Sequence, residues 1–417
     1  MSRAGRLIGI AALLPLLLDA PATAATPRSI PAATAANAQP GTMCGVCHSD
    51  VRVEFGGGMH QSEGLGCISC HGGDPNATTV EGAHRAPFRG AIARREIPSL
   101  CASCHSDVAR MGPYNLPSDQ FALYQTSQHG KLLAQGDDRV AVCTDCHGVH
   151  DIRPTADPKS RVFASNIPAT CGTCHSNAAL MGRYGKKDDP VADYRAGVHG
   201  KALLAGGRGV APDCTRCHGS HGATPPGTGD VAKVCGQCHG KVRSYFLAGP
   251  HKQGMDAAGQ SECTACHGNH NTQPATMAML DKVCLDCHEA GSDELKVAAT
   301  FKAMYTKASG DVARAEKLVD EAARIPLYVD DYKARLADAH TALMECAPVM
   351  HSLDSTQVEP LTRHARSIAA EVSGEIRQKL SERVWRYVGL VLAWFYLGLT
   401  AVVVLRARRR AMAQATP

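Results

Sequence analysis

The sequence Cys-x-x-Cys-His occurs nine times in this chain of 417 residues, and no other feature restricts its fold as much. The copies are Cys44/Cys47/His48, Cys67/Cys70/His71, Cys101/Cys104/His105, Cys143/Cys146/His147 and Cys171/Cys174/His175, followed by Cys214/Cys217/His218, Cys235/Cys238/His239, Cys263/Cys266/His267 and Cys284/Cys287/His288. This spacing attaches c-type haem: two thiols form thioethers to the porphyrin, and the adjacent imidazole becomes the proximal iron ligand. A Cys-x-x-Cys pair also suits half a zinc site or a redox dithiol. Neither demands a histidine next in the chain, and neither does a disulfide. With 20 histidines in 417 residues, chance places one there about once in twenty, yet here it follows every time. Nine covalent haems c are expected.

Composition agrees with a cofactor-filled interior. Aromatic residues make up only 5% of the chain, while it holds 40 Gly and 23 Pro. The polypeptide between motifs offers little core of its own. The expected fold is mostly α with loops, short helices wrapping a haem-packed core, with haem binding contributing directly to folding.

The two ends carry different signals. Arg3 and Arg6 precede the apolar run Leu7 to Leu18, and Ala22-Thr23-Ala24 offers a small-x-small cleavage site. Residues 1–24 therefore read as a secretory signal peptide, and 25–43 as a flexible linker rich in Ala, Pro and Thr. Near the other end, Tyr387 to Leu405 is 19 residues without a charge, about 28 Å of helix. Trp385, Tyr387, Trp394 and Tyr396 lie mostly toward its entry side, and Arg406, Arg408, Arg409 and Arg410 follow it. The expectation is a transmembrane helix over 384–405 and a cytoplasmic basic tail over 406–417, with the long N-terminal part in the periplasm. The formal charge is +5. Removing the net +1 of the signal and the four positives of the tail leaves a neutral polypeptide outside the membrane. Ionised haem propionates make that surface acidic, which gives no support to nucleic-acid binding.

The nine-haem segment, residues 44–292, repeats with a period of two motifs. Cys101 to Tyr114 matches Cys171 to Tyr184, including Met111 and Met181, and His129-Gly-Lys131 matches His199-Gly-Lys201. Three motifs continue as Cys-His-Gly-x-His, giving His150, His221 and His270. With the leading His60, His129, His199 and His251, and with His84, eight histidines occupy repeated positions as candidate distal ligands. Nine six-coordinate irons need one more. His340, His351 and His364 are candidates, with His351 ranked first; Met111, Met181 or an open site are the alternatives. Residues 293–383 read as helical, from apolar stripes at Val297, Phe301, Met304 and Ala308, at Leu318 through Leu343, and at Leu361 through Leu380. Pro348 and Pro360 are expected to punctuate these helices. His340 and His364 are expected to face inward, and Cys346, the one thiol outside the motifs, to be a buried small residue.

Cys67-Ile-Ser-Cys70-His71-Gly-Gly-Asp-Pro75 with Glu81-Gly-Ala-His84, together with each Cys-His-Gly-x-His, resembles the periplasmic multihaem c-type cytochromes, a group including small tetrahaem carriers and hydroxylamine oxidoreductase. The resemblance covers residues 44 to 288. It implies closely spaced haems, many with two histidine ligands. The chain differs from the quinol-oxidising anchored members, which typically carry their anchor at the N-terminus. The leading expectation is a membrane-anchored periplasmic electron carrier working between a quinol-linked membrane partner and a periplasmic or outer acceptor, with other cytochromes as partners. The alternative is an oxidoreductase acting on a small nitrogen or sulfur substrate at one open haem. No motif has lysine in place of its histidine, which counts against the nitrite-reducing version.

Overall fold

The computed structural model describes residues 42–206, 211–227 and 230–414; the signal peptide and nearly all of the 25–43 linker lie outside them. Every regular element among the described residues is a helix. The chain clusters into two compact units: residues 42–93, 100–118 and 150–152 form the first, and residues 94–99, 119–149 and 153–414 the second.

One local device recurs in both units, a helix corner that ends in a histidine-bearing helix. In the first unit it is α1 (Ser49–Gly56) followed by α2 (Met59–Ser62). In the second it is α3 (Gln120–Thr126) with α4 (Gln128–Ala134), α5 (Pro190–Ala196) with α6 (Val198–Leu204), and α7 (Gly240–Ala248) with α8 (Pro250–Ala258). Each corner is made by an extended N-cap residue two positions before a leading histidine: Gly58, Ser127, Gly197 or Gly249. Two corners are pinned by tyrosine. The Tyr124 hydroxyl donates to Ala141 O at 2.9 Å and the Tyr194 hydroxyl to Pro212 O at 2.8 Å, each two residues before a motif cysteine. The glycine of His-Gly-Lys follows from the same corner. A Cβ on Gly130 or Gly200 would lie 2.1 or 2.0 Å from the carbonyl oxygen of Tyr124 or Tyr194.

The second unit continues into three long helices, α9 (Asp293–Ala323), α10 (Asp330–Val349) and α11 (Ser355–Gln414). Their core positions are heptad-spaced: Ala308, Val312, Ala315, Val319 and Ala322 on α9, Tyr332, Leu336, Ala339, Leu343 and Cys346 on α10, and Ala365, Ala369, Val372 and Ile376 on α11, all buried. The small residues let the helices approach closely. Phe301, Cys346, Val349 and Val358 form the end of the bundle nearest the haem motifs, where Tyr245, Met277 and Leu280 pack against them. The remaining core contains α9, α10, α11 and the turn between the first two, and nothing from the motif region.

The expected punctuation is displaced. Pro348 and Pro360 lie inside α10 and α11. The chain instead reverses at residues 324–329, around Pro326, and again at 350–354. The stripe read as continuous from Leu318 to Leu343 therefore belongs to two antiparallel helices. Both carry heptad patterns, and the short turn between them preserves the phase. One helix, α11, is long and apolar enough to cross a membrane, and none of its apolar window is buried.

Candidate haem-ligation sites

Four motif histidines end short helices, Cys67–His71, Cys143–His147, Cys214–His218 and Glu262–His267, and two end nine-residue helices, Ile97–His105 and Ile167–His175. Where the sequence runs Cys-His-Gly-x-His, the glycine ends the turn at positive φ, +90° at Gly148, +81° at Gly219 and +74° at Gly268. That left-handed step favours glycine. It turns the chain out of the helix, so the trailing histidine leaves its own motif and reaches another.

Each of the nine motif histidines faces one further histidine. In the first unit the imidazole centres are 6.4 Å apart for His48–His84, 6.1 Å for His60–His105 and 6.5 Å for His71–His150. In the second they are 6.2 Å for His129–His175, 6.1 Å for His147–His221 and 6.3 Å for His199–His239. His218–His270, His251–His288 and His267–His351 follow at 5.8, 6.1 and 6.1 Å. These separations are too long for imidazole stacking. They suit a metal between two rings, since metal–nitrogen bonds of about 2 Å on each side bring the ring centres to about 6 Å. Among the described residues no group of three or more His, Cys, Asp or Glu is placed to hold a metal. Pairs without a third or fourth protein ligand match an ion whose other four ligands come from a porphyrin, and they do not match structural zinc.

Hydrogen bonds orient several rings. Nδ1 of His71 donates to Gly90 O at 2.9 Å, that of His218 to Thr224 O at 3.2 Å and that of His351 to Ala347 O at 2.9 Å. A carbonyl only accepts, so Nδ1 carries the proton and Nε2 keeps its lone pair for the facing site. His150 Nδ1 meets Glu54 Oε2 at 3.3 Å. Burial, aided by the facing motif histidine, lowers the pKa of His60, His129, His199 and His251. Burial likewise lowers His267, with His351 contributing. The neutral, ligating form is favoured in each.

The pairs interlock. The residue before a leading histidine donates its N–H to the carbonyl two residues past a trailing one: Met59 to Ile152 O at 2.7 Å, Gln128 to Ala223 O at 3.2 Å and Val198 to Thr272 O at 2.9 Å. At three corners the N-cap glycine packs so closely that a Cβ would meet the trailing histidine's own carbonyl: Gly58 with His150 O at 2.7 Å, Gly197 with His270 O at 2.8 Å and Gly249 with His351 O at 2.8 Å. His351 thus occupies, from the bundle, the place a trailing histidine takes elsewhere.

The motif cysteines differ in exposure, and none of them is taken up in a disulfide. Within the second unit four of them approach in pairs, Cys171 beside Cys214 and Cys235 beside Cys263. These are first cysteines of their motifs. Among the second cysteines, Cys47, Cys70, Cys217, Cys238 and Cys287 are exposed. Cys104 and Cys174 are half-buried, and their sulfurs accept from side chains close by in sequence. Arg110 Nη1 donates to Cys104 Sγ at 2.9 Å and Thr173 Oγ1 to Cys174 Sγ at 3.9 Å.

His340 and His364 do not point inward. Both are exposed, and His340 Nε2 lies 2.6 Å from Glu316 Oε1. Cys346 is fully buried, its thiol donating to Ala342 O at 3.4 Å. Sequence reading did not anticipate Phe88, whose ring stacks on His84 at 4.2 Å.

A family comparison agrees with this geometry: the model of the cytochrome c3 family matches residues 59–176 and 207–289. Those stretches are similar to cytochrome c3. The family binds haem c covalently and transfers electrons, and the match lies within the region bearing the motifs. The cytochrome c3-like region begins at Met59, after the first motif, and ends just past His288. No curated protein and no solved structure matches the chain.

Proposed function

We propose that this chain is a membrane-anchored, extracytoplasmic electron carrier holding nine haems c, each between two histidines. The eighteen motif cysteines are the attachment points, the exposed Cys47, Cys238 and Cys287 and the half-buried Cys104 and Cys174 among them. His48, His71, His105, His147, His175, His218, His239, His267 and His288 are the proximal ligands. In that order, the distal ligands are His84, His150, His60, His221, His129, His270, His199, His351 and His251. The observation that carries the reading is the set of nine ring pairs near 6 Å, one for every motif.

Bound haem supplies one-electron iron chemistry. The chain's own residues fix where that chemistry happens. The Nδ1 hydrogen bonds hold the rings, the corners hold the leading histidines, and the cysteine contacts bring successive motifs within van der Waals range. With both axial positions filled by protein there is no place for a substrate on iron, so the carrier reading is favoured over a catalytic one. The unburied apolar part of α11 supports a single anchor, with its arginines on the cytoplasmic side. A quinol-linked membrane partner on one side and a periplasmic or outer acceptor on the other complete the proposal. Low-temperature electron paramagnetic resonance of the oxidised protein tests it. All the ferric iron is expected to be low-spin, and a high-spin fraction near one haem in nine that responds to nitrite or hydroxylamine would overturn it.

A further inference from the structure

The distance between the last ligand and the membrane segment restricts how electrons reach this chain. His351 lies just before α11, which starts at Ser355 and runs unbroken to Gln414. The charge-free segment of that helix begins at Tyr387. The 32 residues between correspond to about 48 Å along the helix axis at 1.5 Å rise per residue.

This stretch is a built spacer. Ala365, Ala369, Val372 and Ile376 of α11 are buried against α9 and α10, and Leu380 packs on the same core. Among the described residues, motif-region apolar side chains pack on the bundle at its upper cluster, through Tyr245, Met277 and Leu280, and Asp281 pairs there with Lys302 of α9. No motif cysteine or paired histidine lies on α9, on α10 or on α11, and His340 and His364 face outward. Along the spacer the chain offers no redox group, and electron tunnelling decays exponentially with distance. The charge-free segment contains no histidine either.

We infer that the bundle is a stalk holding the haem motifs of the second unit away from the bilayer, and that electrons cross this gap on a second protein with a redox centre of its own. That partner is a membrane-associated redox protein whose extracytoplasmic part reaches about 48 Å from the bilayer. Quinol oxidation then takes place on the partner and not on this chain. The inference rests on the anchor and haem assignments proposed above.

The experiment places the haem-loaded full chain in lipid vesicles containing long-tailed menaquinol and follows haem reduction by absorbance. Water-soluble menadiol, which carries the same head group, is added in parallel. The expected result is flotation with the vesicles, reduction by menadiol, and no reduction by the membrane-confined quinol until host membranes are fused in. Reduction by both quinols at similar rates overturns the inference. Failure to float removes the anchor, and the inference with it. As a second measurement, a seven-residue helical insertion after Arg383 raises the haem motifs of the second unit by about 10 Å. It is expected to slow reduction by host membranes at least tenfold while leaving reduction by menadiol unchanged, and an unchanged rate with host membranes overturns the inference.

Discussion

His351 faces His267 at 6.1 Å between ring centres, although one lies in the turn before α11 and the other in the eighth motif. The relationship ties the end of the bundle to the eighth motif. Its backbone seat against Gly249 equals the seats that His150 and His270 take against Gly58 and Gly197.

Replacing His351 by Ala is therefore expected to convert one low-spin ferric haem of nine to high-spin, read as an axial signal in electron paramagnetic resonance. His340→Ala and His364→Ala leave the spectrum unchanged, because both side chains are exposed.

Gly200→Ala places a methyl group 2.0 Å from Tyr194 O, and backbone cannot yield as a side chain does. The corner must open and carry His199 with it. A loss of about 1–3 kcal/mol is expected, the usual range for overpacking. Thermal unfolding measures it, and a perturbed seventh haem in redox titration separates it from a general effect.

Ile376 is fully buried where α11 packs lowest in the bundle. Ile376→Ala is expected to destabilise the bundle by about 2–5 kcal/mol, seen in denaturant titration by circular dichroism. The haem spectrum persists at denaturant concentrations where the mutant stalk has melted, since the motif region does not pack there.

Asp311 links α9 to α11 through Arg366 Nε at 2.9 Å, and Arg314 bonds the same carboxylate. Arg366 foremost holds its pKa below the ordinary carboxylate value. The sign follows from that depression. The contribution is complete above the unfolded-state pKa of about 4 and disappears as pH falls through the lower folded value. Melting temperature measured downward from pH 5 should fall less steeply in Asp311→Asn, and the difference at neutral pH stays within about 1 kcal/mol for a partly exposed pair.

The cofactor motif and the repeated positions of eight further histidines were legible in the sequence, because attachment chemistry is local. The pairing was not. His71 and His150 meet across 79 positions, and only the docking of Met59 on Ile152 brings that segment into reach. His340 lies four residues after Leu336, a spacing that places both on one side of an ideal helix. The core follows a 4-3 alternation through Leu336, Ala339 and Leu343, which leaves His340 outside. Proline misled in the same region. Pro360 lies close to the start of α11, where helices tolerate it, whereas Pro326 stands where the chain turns.

The crossed pairing sets an order for biogenesis. A chain threaded through an export channel from its N-terminus delivers His60, His129, His199 and His251 before the motifs they face, so those four sites can close as soon as haem is attached. His48, His71, His147, His218 and His267 must wait for partners 36, 79, 74, 52 and 84 residues downstream. The eighth site waits longest. Its completion comes only when the turn before α11 has emerged, so a chain truncated ahead of that turn would leave the translocon with an unfinished centre.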